Sequence, residues 1–170
     1  MLAFDIETTG LDAAKHSITV VALFGDIPGA DGPTRVDLVL NFARDGMEPN
    51  RARLLELMQQ ATALCAFNGI RFDIPFIVKR LAVPPEEASE WARKLYDPFE
   101  ESKLLTDRTL SLNKLLAQHG LESKTGSGLE AVHLAERGEW KELELYCRQD
   151  AVLTHTVATI LLEQAQARPY

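Results

Sequence analysis

The first predicted strand of this chain carries two acids where a buried strand would carry apolar residues. The run LAFDIE at Leu2–Glu7 is followed by Thr-Thr-Gly, which is typical of a strand that ends in a turn. Side chains two residues apart project from one face of a strand, so Asp5 and Glu7 share a face. Phe4 and Ile6 project to the opposite face and suit a buried sheet. Two neighbouring acids are costly to bury unless a cation neutralises them, and the alternative is a half-solvated strand edge.

The order of the predicted elements indicates a mixed α/β sheet. Two segments rich in Val, Ile and Leu, Ser17–Phe24 and Thr34–Phe42, follow the first strand, and the Gly/Pro/Asp cluster Gly25–Pro33 separates them. We expect these three strands to form a meander. Helical periodicity then alternates with two short strands, which favours a five-stranded mixed sheet flanked by helices over a doubly wound parallel sheet. The later predicted elements are helices at 54–61, Asp73–Leu81, Pro84–Leu95, Leu110–His119, Leu129–Arg137 and about Glu139–Ala167, with strands at Ala63–Phe67 and Tyr96–Phe99.

Composition limits the classes of protein that fit. The chain has 170 residues, of which 46% are hydrophobic by type, enough for one domain over residues 1–170 that folds without disulfides. Cys65 and Cys147 lie in apolar segments, so we expect free thiols in a reducing compartment. No apolar run approaches the roughly 20 residues of a membrane span, and Met1 leads directly into a strand without a targeting signal. These features predict a soluble, cytoplasmic protein with no membrane partner.

The net charge argues against an extended nucleic-acid footprint. Lys and Arg total 18 against 25 Asp and Glu, so the formal charge is −7 at pH 7. An acidic protein lacks the long basic surface that binds a duplex by neutralising its phosphates. The charge does not exclude a nucleic-acid end held through bound cations, because divalent ions on a carboxylate cluster place positive charge where a phosphate must lie.

Two further acids and a tyrosine occur in contexts that each have an ordinary explanation. Asp73 follows Phe72 at the start of a predicted helix, where an isolated Asp is more often an N-cap than a ligand. Asp150 lies within the long C-terminal helix, and Tyr146 precedes it by four residues. Positions i and i+4 share one helical face, so the phenol and the carboxyl group contact the same neighbour. Each feature alone is weak.

Three motifs contain these residues: FDIETTG at Phe4–Gly10, NGIRFD at Asn68–Asp73 and YCRQD at Tyr146–Asp150. In order and spacing they resemble the exonuclease motifs of the DEDD 3′–5′ exonuclease superfamily, whose fold is RNase H-like. The tyrosine resembles that of the DEDDy branch; the histidine branch would carry His five residues before the last Asp, where this chain has Leu145. The stretch from Ser111 onward resembles the predicted polymerase-B-like exonucleases, some of which lie beside helicases. The resemblance covers essentially the whole chain.

The resemblance implies a two-metal-ion 3′–5′ exonuclease that removes nucleoside 5′-monophosphates from single-stranded ends. The implied site consists of Asp5, Glu7, Asp73, Tyr146 and Asp150. The four acids would hold two Mg²⁺ or Mn²⁺ ions, with Asp5 bridging both, because hard oxygen ligands suit these ions. Tyr146 would orient the attacking water rather than act as the base, since an ordinary phenol has a pKa of about 10.

The same resemblance implies four substrate contacts. Thr8 would meet the terminal 3′-OH through its backbone N–H, and Leu11 would wedge against the last base. Their alternatives are a turn residue and a core leucine. Phe72 would line the pocket of the terminal nucleotide, although a buried aromatic beneath the helix is the commoner use. Asn68 is expected to fasten the strand-to-helix loop more than to touch the substrate.

Other polar features carry weaker signals. The segment Lys124–Gly128 could offer donors to a phosphate but lacks P-loop spacing, so a plain flexible connector is the favoured interpretation. The scattered basic residues Arg71, Lys79, Arg108, Lys114 and Arg148 are candidates for a short basic track. The histidines show no ligand pairing; they are His16, His119, His133 and His155.

Two functions of other kinds stay open at this point. One is a nucleic-acid end-binding or scaffold module with little or no turnover. The other is an RNase H-like endonuclease, which the spacing of Tyr146 disfavours. The sequence favours DNA but allows RNA, since discrimination rests on a few contacts to the 2′-OH that no motif reveals. A helicase or a polymerase is the suggested partner.

Overall fold

A five-stranded sheet organises the part of the chain that the structure describes. The computed structural model describes residues 1–106, 108–124, 126 and 128–167. The strands are β1 (Leu2–Thr8), β2 (Ile18–Gly29), β3 (Gly32–Asn41), β4 (Leu64–Cys65) and β5 (Leu95–Tyr96). β2 pairs antiparallel with β1 and β3, whereas β4 pairs parallel with β1 and β5, so the spatial order is β3-β2-β1-β4-β5. The predicted mixed sheet, with a three-stranded meander first, is confirmed.

The described residues form eight helices, which cover both faces of the sheet. α2, α3 and α4 bury Leu54, Ile77 and Trp91 in one core with Leu2 and Phe4 of β1. α7 and α8 pack on the opposite face. None of these helices has the length and apolarity that a membrane crossing needs. The helices are α1 (Phe42–Asp45), α2 (Met47–Gln60), α3 (Asp73–Leu81), α4 (Pro85–Lys94), α5 (Pro98–Thr106), α6 (Leu112–Gln118), α7 (Gly128–Arg137) and α8 (Trp140–Gln166).

The alternation of side chains along β1 separates its apolar residues from its acids. Phe4 and Ile6 are buried in the core beneath α2, α3 and α4. Ala3 packs on the other face in a small cluster with Cys65 and Ala158 of α8. Because the period of a strand is two residues, the acids of β1 project to the same face as Ala3, towards α8.

The β2–β3 hairpin continues through the Gly/Pro/Asp cluster that the sequence predicts to separate the two strands. Pairing extends to Gly29 opposite Gly32, so residues 30 and 31 form the turn. A two-residue turn keeps both chains in register, and the strands therefore extend past their predicted ends at Phe24 and Thr34. Pro28 and Pro33 are tolerated because they lie opposite each other at the exposed end of the hairpin.

Two short helices are not predicted by the sequence pattern. The predicted strand Tyr96–Phe99 divides at Asp97, because β5 ends at Tyr96 and α5 begins at Pro98. Proline suits a first helical turn, where its missing N–H would have no partner. The short α1 begins where the side chain of Asn41 accepts a hydrogen bond from the Arg44 N–H at 2.8 Å, which ends β3 one residue before the predicted Phe42.

Asp97 links the edge of the sheet to the loop that follows β4. Its buried carboxyl group accepts hydrogen bonds from the N–H groups of Asn68 at 2.8 Å, Ile70 at 3.1 Å and Phe99 at 3.0 Å. The backbone of Asn68 is left-handed, with φ 60°. Because this loop leads directly into α3, Asp97 positions the residue at which α3 begins, Asp73.

We predict that Asp97→Ala lowers the free energy of unfolding by about 1–3 kcal/mol, because buried N–H groups lose their acceptor. Asp97→Asn should lose less, since one acceptor oxygen remains. Urea unfolding at one pH measures both variants. Glu163→Ala, on the exposed end of α8, is the control and should change stability by less than about 0.5 kcal/mol. Equal stability of Asp97→Ala and this control would contradict the role given to Asp97.

Candidate active site

The acids of β1 lie beneath α8. Glu7 is buried and Asp5 is partly buried. The Cys147 thiol of α8 lies 3.4 Å from the backbone oxygen of Asp5 and 3.5 Å from its Oδ2, donating towards both. Leu143, Cys147 and Ala151 are fully buried against β2, so one face of α8 is fixed on the sheet. This packing turns the neighbouring face of α8, which carries Tyr146 and Asp150, towards the acids.

Tyr146 and Asp150 lie one helical turn apart on α8. Both are buried, and both line a single cavity together with Asp5, Glu7 and Asp73. The structure therefore brings together the five residues that the motifs single out, from β1, α3 and α8. Oδ1 of Asp150 is buried and has no hydrogen-bond partner among the described residues.

Asp73 reaches the site because β4 is short. β4 pairs with β1 only at Leu2 and Ala3, so the Ile6 N–H has no partner strand on that side. Asp73 Oδ1 accepts a hydrogen bond from this N–H at 3.2 Å. Asp73 also begins α3, where the helix dipole favours a negative charge. One carboxyl group thus joins the start of α3 to the centre of the sheet.

Burial raises the pKa of all four acids, and charges within the cluster add to the rise at three of them. Burial, followed by repulsion from Glu7, Asp150 and Asp73, raises the pKa of Asp5 well above its usual value. Burial and the charge of Asp150 raise the pKa of Glu7 to about 8. Burial raises the pKa of Asp73 to about 7, against the hydrogen bond from Ile6. Burial also raises the pKa of Asp150. The site is electrostatically strained when no cation compensates it.

A lysine that the sequence does not predict as a site residue partly compensates this charge. Lys124 Nζ lies 2.5 Å from Asp150 Oδ2 and 3.1 Å from the Tyr146 hydroxyl oxygen. Its backbone N–H donates to Asn113 Oδ1 at 2.9 Å, which holds this segment against the start of α6. The prediction of a plain connector is wrong for Lys124. No local motif marks this residue, and only the path of the chain brings it to Asp150.

The cavity that contains the acids has a volume of about 830 Å³, and all four predicted substrate residues line it. Leu11 is 84% exposed, so the alternative of a core leucine is wrong. Phe72 is half-buried, with its ring centroid 5.5 Å from that of Phe76. The Thr8 hydroxyl donates to the Gly10 carbonyl at 2.8 Å and so shapes the turn after β1.

Asn68 shapes the loop before α3, as the sequence predicts. Its carbonyl accepts hydrogen bonds from the N–H groups of Arg71 at 3.2 Å and Phe72 at 3.0 Å. Phe67 and Phe99 also line the cavity, although the sequence analysis does not single them out as site residues. Their rings pack edge to face with centroids 5.6 Å apart.

Basic side chains are scarce in the cavity. Of its described lining residues, Lys124 alone is a lysine or arginine. Arg71 pairs with Glu100 at 2.7 Å, and Arg148 pairs with Asp37 at 2.5 Å. None of the four histidines lines the cavity in the described part of the chain; His16, for example, lies 3.2 Å from the Thr9 hydroxyl.

Comparison with known proteins identifies the fold. The model of the RNase H superfamily matches residues 2–162. No curated protein has a sequence that matches this chain. The family B DNA polymerase from the hyperthermophilic archaeon Pyrobaculum calidifontis superposes with a TM-score of 0.67 at 17% identity, over 95% of this chain and 24% of the polymerase. The chain therefore spans about a quarter of the polymerase.

A smaller nuclease is similar over a larger share of its own length. Brucella melitensis NrnC bound to pGG has a TM-score of 0.57 at 20% identity, over 97% of this chain and 72% of NrnC. NrnC with bound Mg²⁺ has the same TM-score at 17% identity. At these identities the likeness shows a shared fold, and it agrees with the five-stranded mixed sheet. With the family match over nearly all of its length, the chain belongs to the RNase H superfamily.

Proposed function

We propose that this protein is a metal-dependent 3′–5′ exonuclease that releases nucleoside 5′-monophosphates from single-stranded ends, and that residues 1–170 form one such domain. One observation carries the proposal: four carboxyl groups and a phenol from three separate elements meet in one largely apolar cavity. Four acids placed together in one cavity lower the stability of a fold. Such a cluster is therefore typical of a functional site rather than of a purely structural one.

The donor set fits hard divalent cations. The buried Oδ1 of Asp150 has no hydrogen-bond partner in the described part of the chain, so this oxygen is available to a ligand. Burial raises the pKa of all four acids, and repulsion between acids adds to the rise at Asp5, Glu7 and Asp73, so added positive charge would favour their ionised forms. Carboxylate oxygens suit Mg²⁺ and Mn²⁺, and two such ions would activate water and neutralise charge on the phosphate and the leaving oxygen. The residues that would hold the two ions are Asp5, Glu7, Asp73 and Asp150.

Tyr146 is suited to orient the attacking water. Burial and the charge of Asp150 raise the pKa of its phenol to about 12, so the hydroxyl stays protonated at neutral pH. A phenol hydroxyl can donate its hydrogen to a water molecule and accept from it through an oxygen lone pair, whether or not Lys124 also donates to that oxygen. A neutral hydroxyl in this position orients a reactant and does not remove its proton.

The apolar part of the cavity suits a terminal nucleotide. The exposed side chain of Leu11 is free to pack on the last base, and the half-buried ring of Phe72 offers a second apolar surface. Because the Thr8 hydroxyl is engaged within its own turn, its contact with the 3′-OH would use the backbone N–H. Asn68 would support this subsite through the loop.

The comparisons support a short nucleic-acid ligand and a divalent ion, because NrnC is bound to pGG in one structure and to Mg²⁺ in another. A net charge of −7 and a single basic side chain among the described lining residues agree with capture of a short end rather than a long strand. The proposed substrate is single-stranded DNA, with RNA as the alternative. The proposed partner is a helicase or a polymerase that supplies the end.

The test is degradation of matched 5′-labelled DNA and RNA oligonucleotides with Mg²⁺, Mn²⁺ or excess chelator. We expect a descending ladder that requires a divalent ion and a free 3′-OH. Asp5→Asn should reduce the rate by at least about a thousandfold, while Asp31→Asn, the same change on the exposed hairpin turn, should not. Undiminished cutting of a 3′-phosphorylated strand would indicate an endonuclease, and binding without cutting would indicate an end-binding module. Either result would overturn the proposal.

We predict that Tyr146→Phe lowers kcat by roughly a hundredfold or less, with little change in KM, because it removes only an orienting hydroxyl. Tyr96→Phe is the matched control, since Tyr96 lies on β5 outside the cavity lining. Steady-state kinetics on one oligonucleotide measure both variants. An unchanged kcat for Tyr146→Phe would mean that the phenol does not orient the water.

We predict that the ion-free protein loses stability as the pH rises from about 5 to 8. The folded-state pKa of Glu7 is about 8 and that of Asp73 about 7, above the ordinary values of 4.5 and 3.8. The folded protein therefore binds more protons than the unfolded chain in this window, and its stability falls with pH. Saturating Mg²⁺ should reduce the fall.

Urea unfolding in chelator at several pH values measures this dependence. Glu7→Gln should flatten the decline relative to the wild type, whereas Glu163→Gln should not. Comparison between variants cancels the opposite contribution of His155, whose pKa burial lowers. A decline that is as steep in Glu7→Gln as in the wild type would contradict the assignment to Glu7.

A further inference from the structure

We propose that Lys124 is an internal counter-cation of the acidic site, and that binding of a divalent ion to Asp150 displaces its ammonium group. The inference rests on the proposed function in one respect, namely that the four acids bind divalent ions. It adds a residue that none of the three motifs contains, and it states what this residue does before the ions bind.

The position of Lys124 is that of a bound cation. Its Nζ contacts Asp150 Oδ2 at 2.5 Å and the Tyr146 oxygen at 3.1 Å, and it lies 5.2 Å from the centre of the tyrosine ring. The side chains of Lys124 and Asp150 are only 22% and 6% exposed, so water screens this pair poorly. The contact differs in this respect from the mostly exposed ion pairs on the surface.

A hydrogen bond to Asn113 holds the backbone of Lys124 in this position, and Gly126 allows a close approach to Tyr146 nearby. The side chain of Asn113 accepts the backbone N–H of Lys124, and Asn113 lies in the first turn of α6. Gly126, two residues later, adopts a left-handed backbone with φ 80°, and a Cβ there would lie 3.0 Å from the Tyr146 ring. Gly126 therefore lies close to the Tyr146 ring, with a backbone angle that favours glycine.

The same contacts make Lys124 and a divalent ion competitors. Lys124 occupies Oδ2 of Asp150, while Oδ1 is buried without a partner among the described residues. An ion bound to this carboxyl group would stand within a few ångströms of the ammonium group, and two cations at such a distance repel each other strongly in a poorly screened site. Since the ion carries twice the charge and is also held by other acids, the ammonium group is the cation that leaves.

This exchange gives the ion-free protein a defined arrangement. With Lys124 in place, Asp150 is paired and the Tyr146 hydroxyl oxygen accepts a hydrogen bond. Ion binding must break the contact between Lys124 and Asp150, which weakens the apparent affinity for the ion. Removal of the ammonium group should strengthen ion binding and destabilise the ion-free fold.

The test compares Lys124→Met with Lys114→Met, which removes the same charge from an exposed position on α6. Calorimetric titration with Mg²⁺, without substrate, should show affinity about tenfold higher for Lys124→Met and within about twofold of wild type for Lys114→Met. In chelator, Lys124→Met should melt at a lower temperature than Lys114→Met. Equal Mg²⁺ affinity in the two variants would overturn the inference.

A second measurement follows the ammonium group in the wild-type protein, and it stands even if Lys124→Met fails to fold. The ¹⁵N resonance of the lysine ammonium group, assigned by selective labelling, should be visible in chelator because the group is sheltered in its ion pair. It should shift or disappear when Mg²⁺ saturates the site. A resonance that is unchanged at Mg²⁺ saturation would overturn the displacement.

The outcomes distinguish this inference from the proposed function. If Mg²⁺ binds and supports ladder formation but neither the affinity nor the resonance changes as expected, only the exchange at Asp150 is wrong. If no variant binds Mg²⁺ and the nuclease assay is also blank, both the proposed function and the exchange are wrong.

Discussion

The central constraint on this structure is the cost of placing four carboxyl groups in one largely apolar cavity. Asp5 and Glu7 lie on the central strand, whose pairing with strands on both sides fixes where their side chains project. Three contacts compensate for this cost in part. Asp73 accepts a backbone N–H, Asp150 pairs with Lys124, and the Cys147 thiol donates towards Asp5. Each contact involves one acid, and none of them neutralises the whole cluster.

The short strand β4 makes room for this arrangement. If β4 continued beside β1, it would pair with the Ile6 N–H, and Asp73 would have no donor at the centre of the sheet. The chain instead turns away after β4, and the loop is held at its outer end by Asp97. The same early end of a strand thus places the start of α3 at the site and opens the cavity in front of the acids.

Much of the fold follows from patterns that are local in sequence. The three-stranded meander, the long C-terminal helix and the two faces of β1 are read from periodicity, because burial on one face dictates it. Periodicity does not predict the helix α5 or the extension of the β2–β3 hairpin. The helix depends on contacts with residues elsewhere in the chain, and the extension depends on the register of a tight turn. Pro98 breaks the predicted strand, and the side chain of Asp97 caps the helix that replaces it.

The sequence by itself singled out the four acids of the cavity. The strand period placed Asp5 and Glu7 on one face, whereas Asp73 and Asp150 stood out only through motifs that resemble those of the DEDD exonucleases. Only the tertiary structure decided that Lys124 joins them. Its contact with Asp150 spans 26 residues of chain and depends on an anchor at Asn113. Such an ion pair depends on tertiary packing and on the cost of leaving a buried charge unpaired. Neither produces a periodic pattern in the sequence.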